Sequence, residues 1–269
     1  MDLINLHAHS TWSDGTLPPE RLAAEAARAG VKYFSLTDHD MTGGWAEMEP
    51  ALKAAGMAYC YGVEISTCLN ENLHILGYGV DPADGGLAAR LEEFRGRRVA
   101  RIRKILGLLS GLGIEIPFEE LRASGAGTVG RPHIADAMIR RKLVPTRSQA
   151  FKRYLAPGAP AYAAPNGPTV EEAIKTITAA GGAAVLAHPG VVAKILDLGA
   201  WKDAGLSGIE AFYPAHSAST IREFTALAAR FGLFVTAGTD YHGPGTERDK
   251  MSGFEYSDEL FAGVRRYFA

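Results

Sequence analysis

The chain has 269 residues, 47% hydrophobic and 22% charged, with a formal net charge of -2. This globular composition excludes a disordered chain, a collagen-like repeat and a coiled coil, and no run approaches the roughly 18 uninterrupted apolar residues of a membrane span. The small net charge excludes wholesale coating of nucleic acid, and two cysteines, Cys60 and Cys68, cannot frame a disulfide scaffold.

Leu3–Leu6 is a short apolar run that reads as a strand, followed by the polar loop His7–Thr16. No basic segment, long apolar segment or cleavage site opens the chain, so a cytoplasmic protein with reduced thiols is expected. Thr16 is placed to cap a helix beginning near Pro18-Pro19, where proline suits the first turn. Leu22, Ala23, Ala26, Ala27 and Ala29 give that helix a small-residue face, and Gly30 ends it. Strands are predicted at Tyr33–Leu36, Ala58–Tyr61 and Leu73–Tyr78, with a helix over Gly44–Ala55. From Gly85 to Pro165 the signals are helical: Leu91, Phe94, Ile102, Ile105, Leu106, Leu109 and Leu112 recur near helical spacing. This predicts a helical insertion, residues 85–165, within an α/β domain made of residues 1–84 and 166–269. Alternation then resumes: helix Glu171–Ala180, strand Ala183–Ala187, helix Val191–Ala204, strand Gly208–Phe212, helix Ala218–Phe231 and strand Leu233–Ala237. The chain closes on a strand at Gly253–Tyr256 and a helix from Asp258. About seven strands alternating with helices predict a parallel sheet, open or closed into a barrel.

The eight histidines matter by position. The first strand runs into His7-Ala8-His9, with Asp14 just beyond, and the second into Thr37-Asp38-His39-Asp40. The third runs into Gly62-Val63-Glu64, His74 lies on the fourth, and the later strands end at His188-Pro189 and Asp240-Tyr241-His242. In α/β folds the loops at the carboxyl ends of the strands converge on the site. Residues i and i+2 of an extended segment point the same way, so His7 with His9, and Asp240 with His242, can share one cation. Imidazole and carboxylate donors suit zinc, manganese or iron. A lone histidine at a strand end is more often structural, but six strand ends carrying ligand-type residues point to a metal centre. No Gly-x-Ser-x-Gly elbow supports the Ser-His-Asp alternative.

Along nearly its whole length the chain resembles the polymerase and histidinol phosphatase (PHP) family. The carriers are Asn5-Leu6-His7-Ala8-His9-Ser10, Ser13-Asp14-Gly15, Leu36-Thr37-Asp38-His39-Asp40, Gly62-Val63-Glu64-Ile65-Ser66, His74-Ile75-Leu76-Gly77, Ala187-His188-Pro189 and Gly238-Thr239-Asp240-Tyr241-His242-Gly243. The resemblance implies a distorted seven-stranded (β/α) barrel with a centre of two or three divalent metals, manganese first and zinc or iron as alternatives. It implies that His7, His9, Glu64 and Asp240 hold one metal, that Glu64 bridges to a second held with His74 and His188, and that Asp14, His39 and His242 hold a third. A hydroxide bridging two metals and held by Glu64 and Asp240 would be the nucleophile. Within the family the chain is most similar, through its helical insertion and Gly130-Arg131-Pro132-His133, to members acting on nucleoside 3',5'-bisphosphates and to relatives that trim short RNA.

The insertion carries a separate charge argument. Residues 90–104 hold Arg90, Arg95, Arg97, Arg98, Arg101, Arg103 and Lys104 against Glu92 and Glu93, a net +5. Arg97, Arg101 and Lys104 are spaced to share a helix face, which suits a phosphate gripped away from the metals; the plain alternative is a solvated face. Arg101, Lys104, Arg131 and His133 are the expected substrate contacts, while His216 fits no metal set. The expected partner is a small nucleotide or short RNA, with neither duplex DNA nor membrane. A 3'-phosphatase acting on nucleoside 3',5'-bisphosphates explains both features. The competing readings are a 5'-to-3' exonuclease on short RNA, a histidinol phosphatase, and a non-catalytic metal-stabilised binding domain.

Overall fold

A computed structural model describes residues 2–122, 127–192 and 197–269. The strands are β1 (Leu3–Asn5), β2 (Val31–Phe34), β3 (Ala58–Tyr59), β4 (Gly62–Ser66), β5 (His74–Tyr78), β6 (Ala183–Leu186), β7 (Leu206–Phe212), β8 (Phe234–Ala237) and β9 (Phe254–Glu255). They form two sheets, ordered β3-β2-β1-β9 and β4-β5-β6-β7-β8. The fold is mixed α/β, but strand pairing does not run as the expected closed seven-stranded barrel. Pairing between the sheets shrinks to isolated bridges at Ala8–Tyr241 and His39–Glu64, supported by the hydrogen bonds His9 N to Tyr241 O (2.8 Å) and Asp40 N to Glu64 O (2.8 Å). The segments that close the two seams are therefore the ligand-bearing ones.

The sheet is also not all parallel. Strand β5 is antiparallel to both β4 and β6, and β9 to β1. His74 accordingly begins its strand rather than ending it, opposite Ser66. Reversal of β5 is what brings His74 to the rim reached by the carboxyl ends of the other strands.

Helices α1 (Pro19–Arg28) and α2 (Trp45–Ala54) bury Leu22, Trp45, Met48 and Leu52 against the first sheet. Thr16 does not cap α1: its hydroxyl donates to Pro244 O, and Pro18 takes the cap position, where a rigid φ starts the turn without a side-chain bond. Helix α3 (Gly85–Ser110) begins with an Asp84 cap that accepts from Leu87 N. Its first half packs Leu87, Leu91 and Phe94 on the second sheet, together with α7 (Val170–Ala179). Its second half buries Ile102, Ile105 and Leu109 in a separate core. That core is shared with α4 (Phe118–Arg122), α5 (Arg131–Arg140), α6 (Arg147–Ala150) and a π turn at Phe151–Leu155. The stretch from Gly85 to Leu155 is thus helical and strand-free among the described residues. A 3-10 turn (Pro189–Val191) and α8 (Leu198–Asp203) stand where one helix over Val191–Ala204 is expected, part of that span lying outside the described residues. Helices α9 (Ala218–Phe231) and α10 (Ala262–Arg265) complete the second layer. Among the described residues no helix is long and apolar enough to cross a membrane.

Candidate metal centre

All nine expected ligands lie in one cluster at the rim where the two sheets meet. Glu64 is its middle. Its Oε2 lies 3.2 Å from His7 Nε2, 3.1 Å from His9 Nε2 and 3.2 Å from His39 Nδ1. Its Oε1 lies 2.8 Å from His74 Nδ1 and 3.3 Å from His188 Nε2. Asp240 Oδ1 closes the first group at 3.4 Å from His7 Nε2 and 3.2 Å from His9 Nε2. On the far side of His9, Asp14 Oδ1 lies 3.3 Å from His242 Nε2 and Asp14 Oδ2 lies 3.9 Å from His39 Nε2.

The donor set fits divalent cations. Donors about 2.1 Å from a shared tetrahedral ion stand about 3.4 Å apart, close to the spacings above. Three groups keep their ligand atoms within 4.8 Å of one another: His7, His9, Glu64 and Asp240; His9, Asp14, His39 and His242; and His39, Glu64 and His74. His7 Nε2, His9 Nε2, Asp14 Oδ1, Glu64 Oε2, His188 Nδ1 and Asp240 Oδ1 are buried without hydrogen-bond partners, and buried polar atoms otherwise find partners. Electrostatics points the same way. Burial would raise the pKa of Asp14, Glu64 and Asp240, but neighbouring histidines, and Arg248 beside Asp240, hold all three well below the usual carboxylate range. Burial would lower His7 and His9; their carboxylate neighbours instead hold His7 well above its ordinary value and push His9 up to about 10. Without cations, protons must balance the buried carboxylates.

Backbone and neighbouring side chains fix this geometry. Asp40, His188 and Asp240 adopt positive φ (51°, 28° and 53°), a region uncommon for non-glycine residues, though aspartate and histidine enter it more readily than most. Gly238 lies so close to His7 and Glu210 that a Cβ would overlap both. The hydroxyls of Ser10 and Ser13 and the amide of Ser10 donate to the buried Asp38, pinning the loop between His9 and Asp14. His242 Nδ1 donates to Asp240 O (2.7 Å), turning Nε2 inward. Glu210, on β7, accepts from His7 Nδ1 at 3.0 Å and from His188 N at 2.8 Å. This carboxylate was invisible in an apolar strand, Gly208-Ile209-Glu210-Ala211-Phe212, where the one acidic residue was the only signal. Outer partners of this kind commonly contribute 10- to 100-fold to metal affinity. Glu210→Gln should therefore weaken metal binding by about that factor in a competitive titration with a chromophoric chelator; unchanged affinity would remove Glu210 from the site.

A cavity of about 530 Å³ opens on the cluster; its lining includes Asp14, His39, His74 and His242 as well as Arg98, Arg101, Arg131, Arg147, Lys152 and Arg248. Arg101 and Arg131 both pair with Glu71. Two of the expected substrate contacts do not line this cavity. Lys104 is exposed on α3, outside the cavity lining. His133 is structural: its Nδ1 accepts from Gly130 N (2.9 Å) at the start of α5, and its Nε2 donates to Ser13 O (2.9 Å). Arg97 turns away to Glu93 and Glu172, so the expected Arg97–Arg101–Lys104 face does not form. Arg98 lines the cavity instead, forked on Asp40 Oδ2 at 3.0 and 2.7 Å. Its place on the helix face of the buried Leu91, Phe94, Ile102 and Ile105 is the signal the sequence offers. His216 locks the His188 turn, accepting from Gly190 N (3.0 Å) and donating to Ala211 O (2.9 Å).

The PHP domain family matches residues 5–110. The chain is 36% identical to the 3',5'-nucleoside bisphosphate phosphatase of Chromobacterium violaceum over 253 residues, covering 90% of this chain and 88% of that one. It is 34% identical to a 5'-3' exoribonuclease of Haemophilus influenzae over 249 residues, covering 89% and 90%. Among solved structures, an amidohydrolase from Chromobacterium violaceum with bound SO4 and no metal superimposes with a TM-score of 0.88 at 32% identity, covering 99% of this chain and 97% of that one.

Proposed function

We propose, from the premise that the chain belongs to the PHP domain family, that this metal-dependent phosphoesterase removes the 3'-phosphate of nucleoside 3',5'-bisphosphates, giving a nucleoside 5'-monophosphate and phosphate. The observation that carries this reading is one cavity lined both by metal-type ligands and by a buried arginine pair that shares Glu71. A substrate with two phosphates engages both.

In this reading His7, His9, Asp14, His39, Glu64, His74, His188, Asp240 and His242 hold two or three divalent ions, manganese first. Bound there, such ions supply Lewis acidity and activation of water at neutral pH. The protein's own groups orient and hold. Glu210 keeps the His7 proton on Nδ1, so Nε2 stays free to ligate. Asp38 fixes the loop that carries His9 and Asp14. Arg101 and Arg131 grip the distal 5'-phosphate, each through charge-assisted hydrogen bonds. Phe94, Ile102 and Phe151 offer the nucleoside an apolar face. Free Cys60 and Cys68 suit the reducing cytoplasm.

Arg131→Ala should raise KM for a 3',5'-bisphosphate about 10- to 100-fold, the loss expected for hydrogen bonds to a charged group. An equal loss on a simple aryl phosphate would exclude recognition of a second phosphate. The decisive experiment is a phosphate-release screen of the metal-loaded protein on 3',5'-bisphosphates, mononucleotides and histidinol phosphate, run beside trimming of 5'-phosphorylated short RNA. Preference for RNA would establish the second reading, exonuclease, which the Haemophilus relative supports.

A further inference from the structure

The turn between β4 and β5, residues 67–73, carries Glu71 into the cavity. Its two oxygens are divided between two guanidiniums. Arg101 Nη2 donates to Oε1, and Arg131 Nη2 lies 2.6 Å from Oε2. All three side chains are largely buried, with 12–15% exposure. The other arginines of the cavity have a carboxylate each: Arg98 has Asp40, Arg147 has Asp136 and Arg248 has Asp240. Here two cations share one anion, leaving one buried positive charge uncompensated. Burial drives the Arg131 guanidinium down to about 10, with Glu71 opposing the shift and Arg101 reinforcing it.

Each of the two arginines has a second anchor besides Glu71. Arg101 Nε donates to Ala163 O at 2.9 Å, and Arg131 Nη1 donates to Leu155 O at 3.3 Å. The Arg131 guanidinium also lies 5.2 Å from the centre of the Phe151 ring. The pair is therefore a preformed anion clamp occupied by a side chain of the protein.

We propose that Glu71 is a resident competitor for the distal phosphate: it fills the Arg101–Arg131 clamp, and an anion enters only by displacing it, which a terminal phosphate monoester does more readily than an internal phosphodiester. The selection follows from charge. Exchanging the Glu71 carboxylate for a phosphodiester swaps one monoanion for another and leaves the excess positive charge in place. A terminal phosphate is close to a dianion at pH 7, so the same exchange neutralises the clamp. The inference deepens the proposed function by assigning what recognises the distal phosphate, and it rests on that reading for the placement of substrate.

The test is calorimetric binding of two probes lacking a 3'-phosphate, adenosine 5'-monophosphate and its 5'-O-methyl phosphodiester, to the metal-loaded protein. The wild type should prefer the monoester by about tenfold or more, the scale of one charge-assisted hydrogen bond. Glu71→Gln, and Glu71→Ala as a second variant, should strengthen both probes by a similar factor of about tenfold, the competitor cancelling from their ratio. Arg101→Ala and Arg131→Ala should weaken both probes. A wild-type ratio near unity, affinities unmoved in the Glu71 variants, or probes indifferent to both arginines would each overturn the assignment. Preference for the monoester with no hydrolysis of bisphosphates would refute the substrate reading alone, and hydrolysis with affinities unmoved in the Glu71 variants would refute the role of Glu71 alone.

Discussion

Glu64→Gln is expected to lower kcat by about a thousandfold or more while leaving the fold intact. The reason lies in what surrounds this carboxylate. Five imidazoles lie within 3.3 Å of its two oxygens, three on Oε2 and two on Oε1. Glutamine keeps the volume but supplies one neutral oxygen and an NH2 group. The amide cannot serve both sides, and its hydrogens compete with cations for the imidazole lone pairs. The backbone bonds at this position, Asp40 N to Glu64 O and Glu64 N to Asp38 O, do not involve the side chain and persist. Steady-state kinetics, far-ultraviolet circular dichroism and elemental analysis check the three parts of this expectation. Near-normal turnover, or a full metal complement in the variant, would remove Glu64 from the centre of the site.

Removing metal should change stability in a way that depends on pH. In the chelated protein, His7 and His9 hold protons more tightly folded than unfolded, because nearby carboxylates outweigh burial. Their contribution is full below the unfolded value of 6.5 and is lost as pH rises towards the folded value, about 10 for His9. His39 and His188 shift the other way: burial keeps them neutral, so their contribution is lost as pH falls below 6.5. Asp14, Glu64 and Asp240, whose pKa values are depressed, add a further loss only in stronger acid. The chelated protein should thus be most stable near pH 6.5, with Tm lower by about 5 °C or more at pH 9. Metals displace those protons, so the gain in Tm on loading should grow with pH. At about a hundredfold excess over Kd the gain is about 2.7 kcal/mol, or roughly 5–10 °C in a chain of this size. Differential scanning calorimetry at several pH values, with and without chelator, decides the matter. A chelated Tm rising steadily from pH 6.5 to 9, or one indifferent to metal, would contradict it.

The parts of the site legible in the sequence were those governed by local geometry. The period of two in an extended segment puts His7 with His9, and their imidazoles do converge on Glu64 and Asp240. The helical run after Gly85 was equally local. What escaped depended on partners distant in the chain. Glu210 reads as one polar residue in a strand until His7, 203 positions away, lies against it. The reversed direction of β5 follows from pairing with β4 and β6, which no local pattern states. On α3 the charge count was right but the rotation was not. The helix is oriented by its apolar residues, so Arg98 faces inward while Arg97 and Lys104 do not line the cavity. Gly130-Arg131-Pro132 resembles a turn in the sequence, whereas the proline here opens α5 and His133 lies in its first turn.

The reversed strand has a consequence for how such a protein could diversify. A crossover between parallel strands carries a helix, but the β4–β5 connection is a short hairpin, residues 67–73. It begins just after one strand of the metal-type cluster and returns at His74, and between them Glu71 reaches the Arg101–Arg131 pair in the same cavity. Hairpin tips accept insertions and deletions more readily than the strands they join. Changes of length or charge in these few residues can retune how readily the arginine pair admits an anion, while Glu64 and His74 stay anchored in the paired strands on either side. Metal-type ligands and the occupant of the arginine pair are in this way written into adjacent but separately mutable stretches of one hairpin.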